Sequence, residues 1–484
     1  MSNISYRPDI DGLRALAIIP VLLFHVGIAG FGGGFVGVDV FLVISGYLIT
    51  SIIAREVEAG EFTFSNFWAR RARRILPASI LMMIGCLVAG WFILAPDDYF
   101  DLGRSAREQA YFAGNFYFWK ESGYFDGPSE LKPLLHTWSL AVEEQFYFVF
   151  PLLFILAHRF FANHKLSFFV LVFIASFVAS VMLVDDYPSS TFYLLHTRAW
   201  ELLVGGLIAI APARQGVKAG TSELISLIGL AMIVYAIARY DHSTTFPGAT
   251  ALLPTLGTGA IIWANTYHKT MVSKLLSLKV FVTIGLISYS LYLYHWPLIA
   301  FTRYQAVGGE LDTVHQAFLI VGSFVLAYLS WKFVETPFRK KSLFPTNKKI
   351  LTASLSVLVV VAVAGQMIRK TEGYPERLPP HVLAYAEASS WAKYQKRCYK
   401  LTPEDIKNGE ICRFGEGQDG STTLLFWGDS HAAAYLPAVR AKAEEHSVLT
   451  LHASDSACPP IAGAERPNDE ECVKFNAIML EQID

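Results

Sequence analysis

The chain is poor in charge. Asp, Glu, Lys and Arg make up 17% of its 484 residues, against about 25% in soluble globular domains, which excludes an ordinary soluble enzyme or binding module as the main architecture. Neither sign dominates: the net charge is −1, which by itself points to no class of partner, and nucleic acid is not expected among them. Cysteine is scarce too, and unevenly placed. Of the five, Cys86 stands alone in an apolar run, where it reads as a small buried hydrophobe. The others, Cys398, Cys412, Cys458 and Cys472, lie in the C-terminal tail. Four cysteines in an exported segment fit two disulfides in an oxidising compartment. Three pairings are possible, with the local ones, Cys398 with Cys412 and Cys458 with Cys472, preferred. The first apolar run also lacks a small-residue cleavage site, and Arg14 and His25 interrupt it, so it reads as a retained span and not as a removable signal peptide.

What the chain has in abundance is apolar runs of membrane length, with 53% of its residues hydrophobic. Windows of about 20 residues place spans near 13–29, 36–54, 78–95, 139–157, 167–184, 196–211, 222–238, 249–266, 280–302, 313–334 and 350–368. The expected fold is therefore an all-α polytopic membrane bundle of about ten core helices plus one linking helix, the last span lying apart beyond a basic linker. The organisation read from this is a membrane domain over 1–345, a linking helix over 346–370 and a polar tail over 371–484. Lysine and arginine mark alternate loops: Arg55 and Arg70 to Arg74, Arg159 and Lys165, Arg214 and Lys218, Lys269 to Lys279, and Arg339 to Lys349. By the positive-inside bias these loops are cytoplasmic, with the N-terminus. Eleven crossings then put the tail outside.

Ionisable groups inside spans are costly and point to function. Arg14 and His25 are eleven residues apart, which at about 100° per residue stacks them on one helix face three turns apart. Asp39 opens the next, antiparallel span and is expected beside His25, fixing its tautomer. A second cluster, His136, Trp138, Glu143 and Glu144, enters the fourth span and reads either as an acceptor or cavity site or as an interfacial belt. In the ninth, Pro297 bends the helix near Tyr292 and His295, which line a cavity or serve the kink alone. Arg198 and Glu201, at i and i+3, read as a buried structural pair, and Glu335 with Arg339 as a clamp. In the tail, Thr423 to Trp427 is strand-like and ends in Gly428-Asp429-Ser430-His431 before a small-residue helix. That pattern holds Ser430 as a nucleophile near backbone N–H groups, or else as an ordinary helix cap.

The stretches Tyr6-Arg7-Pro8-Asp9-Ile10-Asp11-Gly12-Leu13-Arg14 with His25, Gly37-Val38-Asp39-Val40-Phe41 through Ser45-Gly46-Tyr47, Arg70 to Arg74, His136-Thr137-Trp138-Ser139-Leu140 with Glu143, Glu144 and Gln145, and Tyr292 with His295-Trp296-Pro297 resemble the acyltransferase 3 family of integral membrane acyltransferases. The tail resembles the start of an α/β SGNH hydrolase-like domain fused to it, as in bacterial polysaccharide and peptidoglycan O-acetyltransferases. The resemblance implies transfer of an acetyl group from cytoplasmic acetyl-CoA to hydroxyls of an exported glycan (O-antigen, peptidoglycan or another surface polysaccharide) at the bacterial inner membrane, with no permanently bound cofactor. It associates Arg14 and His25 with donor use and catalysis. Coenzyme A is polyanionic, so Arg70, Arg71, Arg73 and Arg74 either bind its phosphates or only enforce topology. The imidazole of His25 suits a general base or a nucleophile. The tail departs from its family: no D-x-x-H follows Ser430, His446 and His452 lack that context, and the chain stops within an apparent helix, so the hydrolase-like domain is expected to be incomplete. Two other readings are a transporter without chemistry and an exported esterase that the bundle merely anchors.

Overall fold

The computed structural model describes residues 6–121, 129–212, 215–383, 398–399, 401–415, 423–455, 458–463 and 470–481; Arg214 and the terminal 482–484 lie outside them. The chain divides into two compact units, Met1–Pro375 and Glu376–Asp484.

The first unit is helical. In order it contains α1 Pro8–Val26, α2 Gly37–Glu58, α3 Phe64–Ile93, α4 Pro96–Ala110, α5 Gly114–Lys120, α6 Thr137–Phe160, α7 Lys165–Leu183 and α8 Pro188–Tyr193. There follow α9 Leu195–Ile210, α10 Ala219–Arg239, α11 Leu252–Tyr267, α12 Met271–Leu276, α13 Lys279–Gln305, α14 Thr313–Ser330, a π-helical turn Trp331–Glu335, α15 Thr336–Arg339 and α16 Asn347–Lys370. Each of the eleven predicted spans falls on one of these helices. Among the described residues eight are long and apolar enough to cross a membrane. The other three are α1, which carries Asp9, Asp11 and Arg14, and α9 and α11, of 16 residues each. Outward-facing Leu171, Ile174, Val321, Val325, Val359 and Val363 leave apolar side chains on the surface, where lipid in place of water removes the cost. The chain is a multi-pass membrane protein.

Three expectations need correction. Helix α3 starts at Phe64, not near residue 78, because Thr63 caps it by accepting from the Asn66 N–H at 3.3 Å; the arginine cluster is therefore helical and not in a loop. Helix α4 is absent from the predicted spans because its polar face, with Asp97, Asp98, Asp101, Arg104 and Arg107, breaks every apolar window. The eleventh helix does not lie apart. Leu358, Val361, Ala362 and Ile368 of α16 share one core with Cys86 and Leu87 of α3 and with Tyr99, Leu102 and Ala106 of α4, so burial of that stripe docks the helix onto the bundle.

Two helix pairs position the functional groups. Gly46 of α2 and Gly205 of α9 sit where an added Cβ would lie 1.8 Å from the Leu202 carbonyl oxygen and 2.0 Å from that of Val43, so these backbones touch in a way that only glycine permits. Helix α1 meets α13 in the same manner: a Cβ on Gly285 would fall 1.8 Å from the Asp11 carbonyl oxygen. Both pairs run parallel, since Asp39 and Gly46 meet Arg198 and Leu202, while Asp11 and His25 meet Gly285 and His295.

The second unit holds a three-stranded sheet of β1 Cys412–Phe414, β2 Leu424–Gly428 and β3 Thr450–Ser454, in the order β1-β3-β2. Strand β3 is antiparallel to β1 and parallel to β2. Its described helices are α17 Pro403–Lys407, α18 Ser430–Glu445 and α19 Glu470–Glu481, and β2, α18 and β3 form a βαβ unit. The disulfides join Cys398 to Cys412 and Cys458 to Cys472, the local pairing preferred from the sequence. They flank a core that includes Ile406, Ile411, Phe475, Ile478 and Met479.

His452 of β3 is buried, with Nδ1 2.7 Å from the Phe426 carbonyl oxygen and Nε2 3.2 Å from Ser454 Oγ. Burial pushes this imidazole from 6.5 down to about 4, against an opposing contribution from its bond to the Phe426 carbonyl. The unfolded chain therefore takes up the proton first, and stability present above pH 6.5 is lost as pH falls towards 4. The expected loss is on the order of 3 kcal/mol. Hydrogen exchange of the β3 amides in the full chain, corrected for intrinsic rates, should accelerate across that window in wild type and not in His452→Phe.

Candidate functional site

The start of α1 is an ionic lock. Arg7 donates to both Asp9 carboxylate oxygens at 2.7 and 2.8 Å, and Asp9 also accepts from Asn265 of α11 at 3.1 Å. Two residues on, Asp11 accepts from Tyr6 at 2.8 Å and from Arg14 at 3.0 Å. The Tyr6 to Arg14 motif thus pairs its own charges at the helix N-terminus, where carboxylates are favoured by the dipole.

Arg14 also lies in the electrostatic field of Arg74, Glu143 and Tyr147. Arg71 stands with its guanidinium 5.8 Å from the Tyr147 ring centroid, and its buried Nε has no hydrogen-bond partner among the described residues. Tyr147 and Ser45 both donate to Glu143, while buried Glu144 has one oxygen without a partner among the described residues. Arg339 faces Arg74, Glu335 and Asp11, so it belongs with this group and not only to a clamp. The four-arginine cluster of α3 splits by helical period. Arg70 pairs with Glu56 at 2.8 Å on the surface, and buried Arg73 donates to the Pro345 carbonyl and to Asn347 Oδ1, both at 3.1 Å. Arg73 is therefore a structural tie to the segment before α16, whereas Arg74 acts on Arg14 directly and Arg71 shares Arg74, Glu143 and Tyr147 with it.

Three imidazoles gather at the other end of α1. His25 Nδ1 lies 3.1 Å from His295 Nε2, and His295 Nδ1 lies 2.7 and 3.1 Å from the Tyr292 and Leu291 carbonyl oxygens. The His136 ring centroid is 5.9 Å from that of His295 and 5.4 Å from that of Tyr292. Tyr292 donates to the His136 carbonyl at 2.8 Å and stands 2.6 Å from Ser139 Oγ. Trp296 sets its edge against His25, with centroids 4.7 Å apart, and donates to the Lys132 carbonyl at 2.9 Å. Pro297 has no N–H, so the Leu293 carbonyl loses its helical partner. The His136 ring leans on that carbonyl more loosely than a hydrogen bond, and both its ring nitrogens are buried without hydrogen-bond partners among the described residues. His25 alone of the three is partly exposed.

Asp39 does not stand with His25 as expected. It is fully buried 3.1 Å from Arg198 Nη2, and Arg198 Nη1 is 3.1 Å from Glu201; the α2–α9 contact carries it there. Trp138 is likewise displaced from the cavity. Two residues along α6 from His136, it turns to the opposite side and covers Arg198, whose guanidinium lies 5.6 Å from its ring centroid and 5.7 and 5.6 Å from those of Phe192 and Phe246.

In the second unit Ser430 is separated from the end of β2 by one residue, Asp429, and opens α18, as the strand–turn–helix pattern predicts. The capping role falls to Asp429, whose carboxylate accepts from the His431 N–H at 2.9 Å. His446 caps the far end of the same helix, about 24 Å away along its axis, and His452 is bound inside the sheet. Neither serves Ser430 as a base.

A family model described as an acyltransferase domain matches residues 7–332. The chain belongs to that family. The matched stretch opens at Arg7 of the ionic lock and closes in the π-helical turn, so it holds both clusters apart from Glu335 and Arg339. A second model, the SGNH domain fused to such acyltransferase domains, matches 397–484. The O-acetyltransferase OatA of Staphylococcus aureus (strain NCTC 8325 / PS 47) is 30% identical over 384 residues, covering 75% of this chain and 63% of its own length. The peptidoglycan O-acetyltransferase OatA of Listeria monocytogenes is 30% identical over 387 residues, covering 74% and 62%. A putative O-acetyltransferase of Staphylococcus aureus (strain MSSA476) is 32% identical over 359 residues, covering 71% and 59%. The chain thus spans about three-fifths of the length of these relatives. No solved structure matches it significantly. Within the acyltransferase family frame, the element that sequence reasoning missed is the contact of His25 with His295, 270 residues away; no local pattern announces such a pair.

Proposed function

We propose that this chain is a membrane O-acyltransferase, moving an acetyl group from cytoplasmic acetyl-CoA to hydroxyls of a glycan on the outer side of the bacterial inner membrane. The observation that carries the reading is polarity along one helix. Arg14, Arg71, Arg74 and Arg339 gather at the N-terminal end of α1, and three imidazoles gather about 16 Å further on, with His25 exposed to a reactant. Guanidinium groups suit the phosphates of the donor, and the extended pantetheine arm then brings its thioester to His25. The hydroxyl of the acceptor attacks the thioester carbon while His25 takes its proton; a C–O bond forms, the C–S bond breaks, and the proton passes to the departing thiolate. In a complete hydrolase-like domain, Ser430 is the hydroxyl through which a second transfer runs. Peptidoglycan is the first acceptor to test, because the Listeria relative carries it in its name. The lysine and arginine bias of the loops supports the orientation.

The test supplies radiolabelled acetyl-CoA to inverted vesicles containing the chain, with peptidoglycan fragments enclosed. Label should become covalently attached to glycan, whereas label crossing unchanged would favour a transporter. The arginines separate in the same assay. Arg71→Ala or Arg74→Ala should raise the KM for acetyl-CoA about tenfold to a hundredfold, as loss of one charge-assisted contact implies. Arg70→Ala, which breaks only a surface ion pair, should leave it unchanged.

A further inference from the structure

We infer that His295 is a positioning residue that holds His25 in the tautomer with its proton on Nδ1 and a bare lone pair on Nε2. This rests on the reading of His25 as the base, and follows from hydrogen-bond logic along one line of atoms. Carbonyl oxygens only accept, so His295 Nδ1, 2.7 Å from the Tyr292 oxygen and 3.1 Å from the Leu291 oxygen, carries a proton. The opposite tautomer would set a nitrogen lone pair against two oxygens. A doubly protonated His295 would put a cation, fully buried, among imidazoles and aromatic rings, at the cost of a charge inside a span. His295 is therefore neutral, and its Nε2 is an acceptor. The atom it faces at 3.1 Å is His25 Nδ1, which must donate. In a neutral imidazole one proton remains for two nitrogens, so His25 Nε2 is unprotonated and free to take a proton from a hydroxyl.

The arrangement divides the labour of a base and its orienter between two histidines. His25 is partly exposed and His295 is not, so the reactive nitrogen lies on the accessible ring and the fixing nitrogen on the buried one. The His295 ring is held by its own helix, and the helix is held against α1 by the Gly285 contact with Asp11. Trp296 on one side and the Arg303 bond to the His25 carbonyl, at 3.1 Å, on the other restrict the His25 turn. A carboxylate is the commoner partner for such an imidazole; here Asp39 is taken up by Arg198, and the role passes to a neutral acceptor.

The full chain in lipid, labelled with 15N-histidine, tests this directly. The difference between wild-type and His25→Gln spectra isolates the His25 nitrogens by solid-state NMR. The expected result is a protonated Nδ1 and a bare Nε2 in wild type, and a mixture of tautomers in His295→Leu. A proton on Nε2 in wild type, or an unchanged tautomer in His295→Leu, would overturn the inference. Because this readout needs no turnover, it separates failure of the positioning role from failure of the acyltransferase reading. In the vesicle assay, His295→Leu should lower kcat by about 10²-fold to 10⁴-fold, the range seen when a base loses its tautomer, with the donor KM little changed. His295→Gln, whose side-chain oxygen can reach the place of Nε2 and accept from His25, should stay within about tenfold of wild type. Equal loss in both variants would mark His295 as merely structural and sink the proposal.

Discussion

Replacing His25 by alanine is expected to lower acyl transfer by about 10²-fold to 10⁴-fold, the contribution of a positioned general base, and further if the imidazole also carries the acyl group. The fold should survive. His25 is partly exposed, the Arg303 bond goes to its backbone carbonyl, and the Gly285 contact that clamps α1 to α13 lies near the helix's opposite end. His295 loses one partner but keeps its bonds to the Tyr292 and Leu291 carbonyls. The measurement is label transferred to enclosed glycan per unit of folded protein in the membrane. Label accumulating equally with both chains would remove His25 from the chemistry. Replacing Ser430, in contrast, should leave donor cleavage by the membrane unit intact, and loss of that first step would contradict a relay.

The second large effect belongs to Arg198. One guanidinium serves two buried carboxyl groups, Asp39 and Glu201, beneath three aromatic rings. Arg198→Leu leaves both acids in an apolar interior, and breaking a buried ion pair in this way costs about 3–5 kcal/mol. Little of that variant should reach the membrane in a folded form. Removing all three charges together, as Asp39→Leu, Arg198→Met and Glu201→Leu, should recover much of the folded protein, because the interior no longer holds an unpaired charge. The triple variant also decides what Asp39 does. If its carboxylate only balances Arg198, the recovered protein transfers acetyl groups; if it takes part in the reaction, the protein folds and is inactive. Yield after detergent extraction and thermal unfolding give the first answer, and the vesicle assay gives the second.

The parts of this fold legible in the sequence are those that depend on a short stretch of chain. A helix that crosses a bilayer must satisfy its own backbone and present about 20 apolar residues, so all eleven expected spans fall on helices, eight of them long and apolar enough to cross. The local disulfides and the strand, turn and helix around Ser430 were legible for a similar reason, since each closes over a few residues. Where reading failed, the deciding contact came from far along the chain. Thr63 is a partial exception: its position three residues before Asn66 was a cap signal that extends α3 back through the arginines, and hydropathy alone passed over it. Helix α4 was missed because a helix that packs without crossing leaves no apolar window.

The fate of the ionisable residues shows the same division. Arg14 and His25 share a face because 3.6 residues make a turn, whatever surrounds them. Which atom meets each of them is another matter. Glycines at 46 and 205 bring α2 against α9 and hand Asp39 to Arg198, while Gly285 brings α13 against α1 and hands His25 to His295. The sequence by itself determined the spans, their loop charges, the polarity of the first helix and the family motifs, all of which follow from hydration and helical period over a few turns. Only the tertiary structure decided that Arg71 and Arg74 join the surroundings of Arg14 while Arg70 and Arg73 do not, and that a histidine 270 residues away meets His25. Those choices are made where backbones touch, and contact between helices is a property of pairs that no single stretch contains.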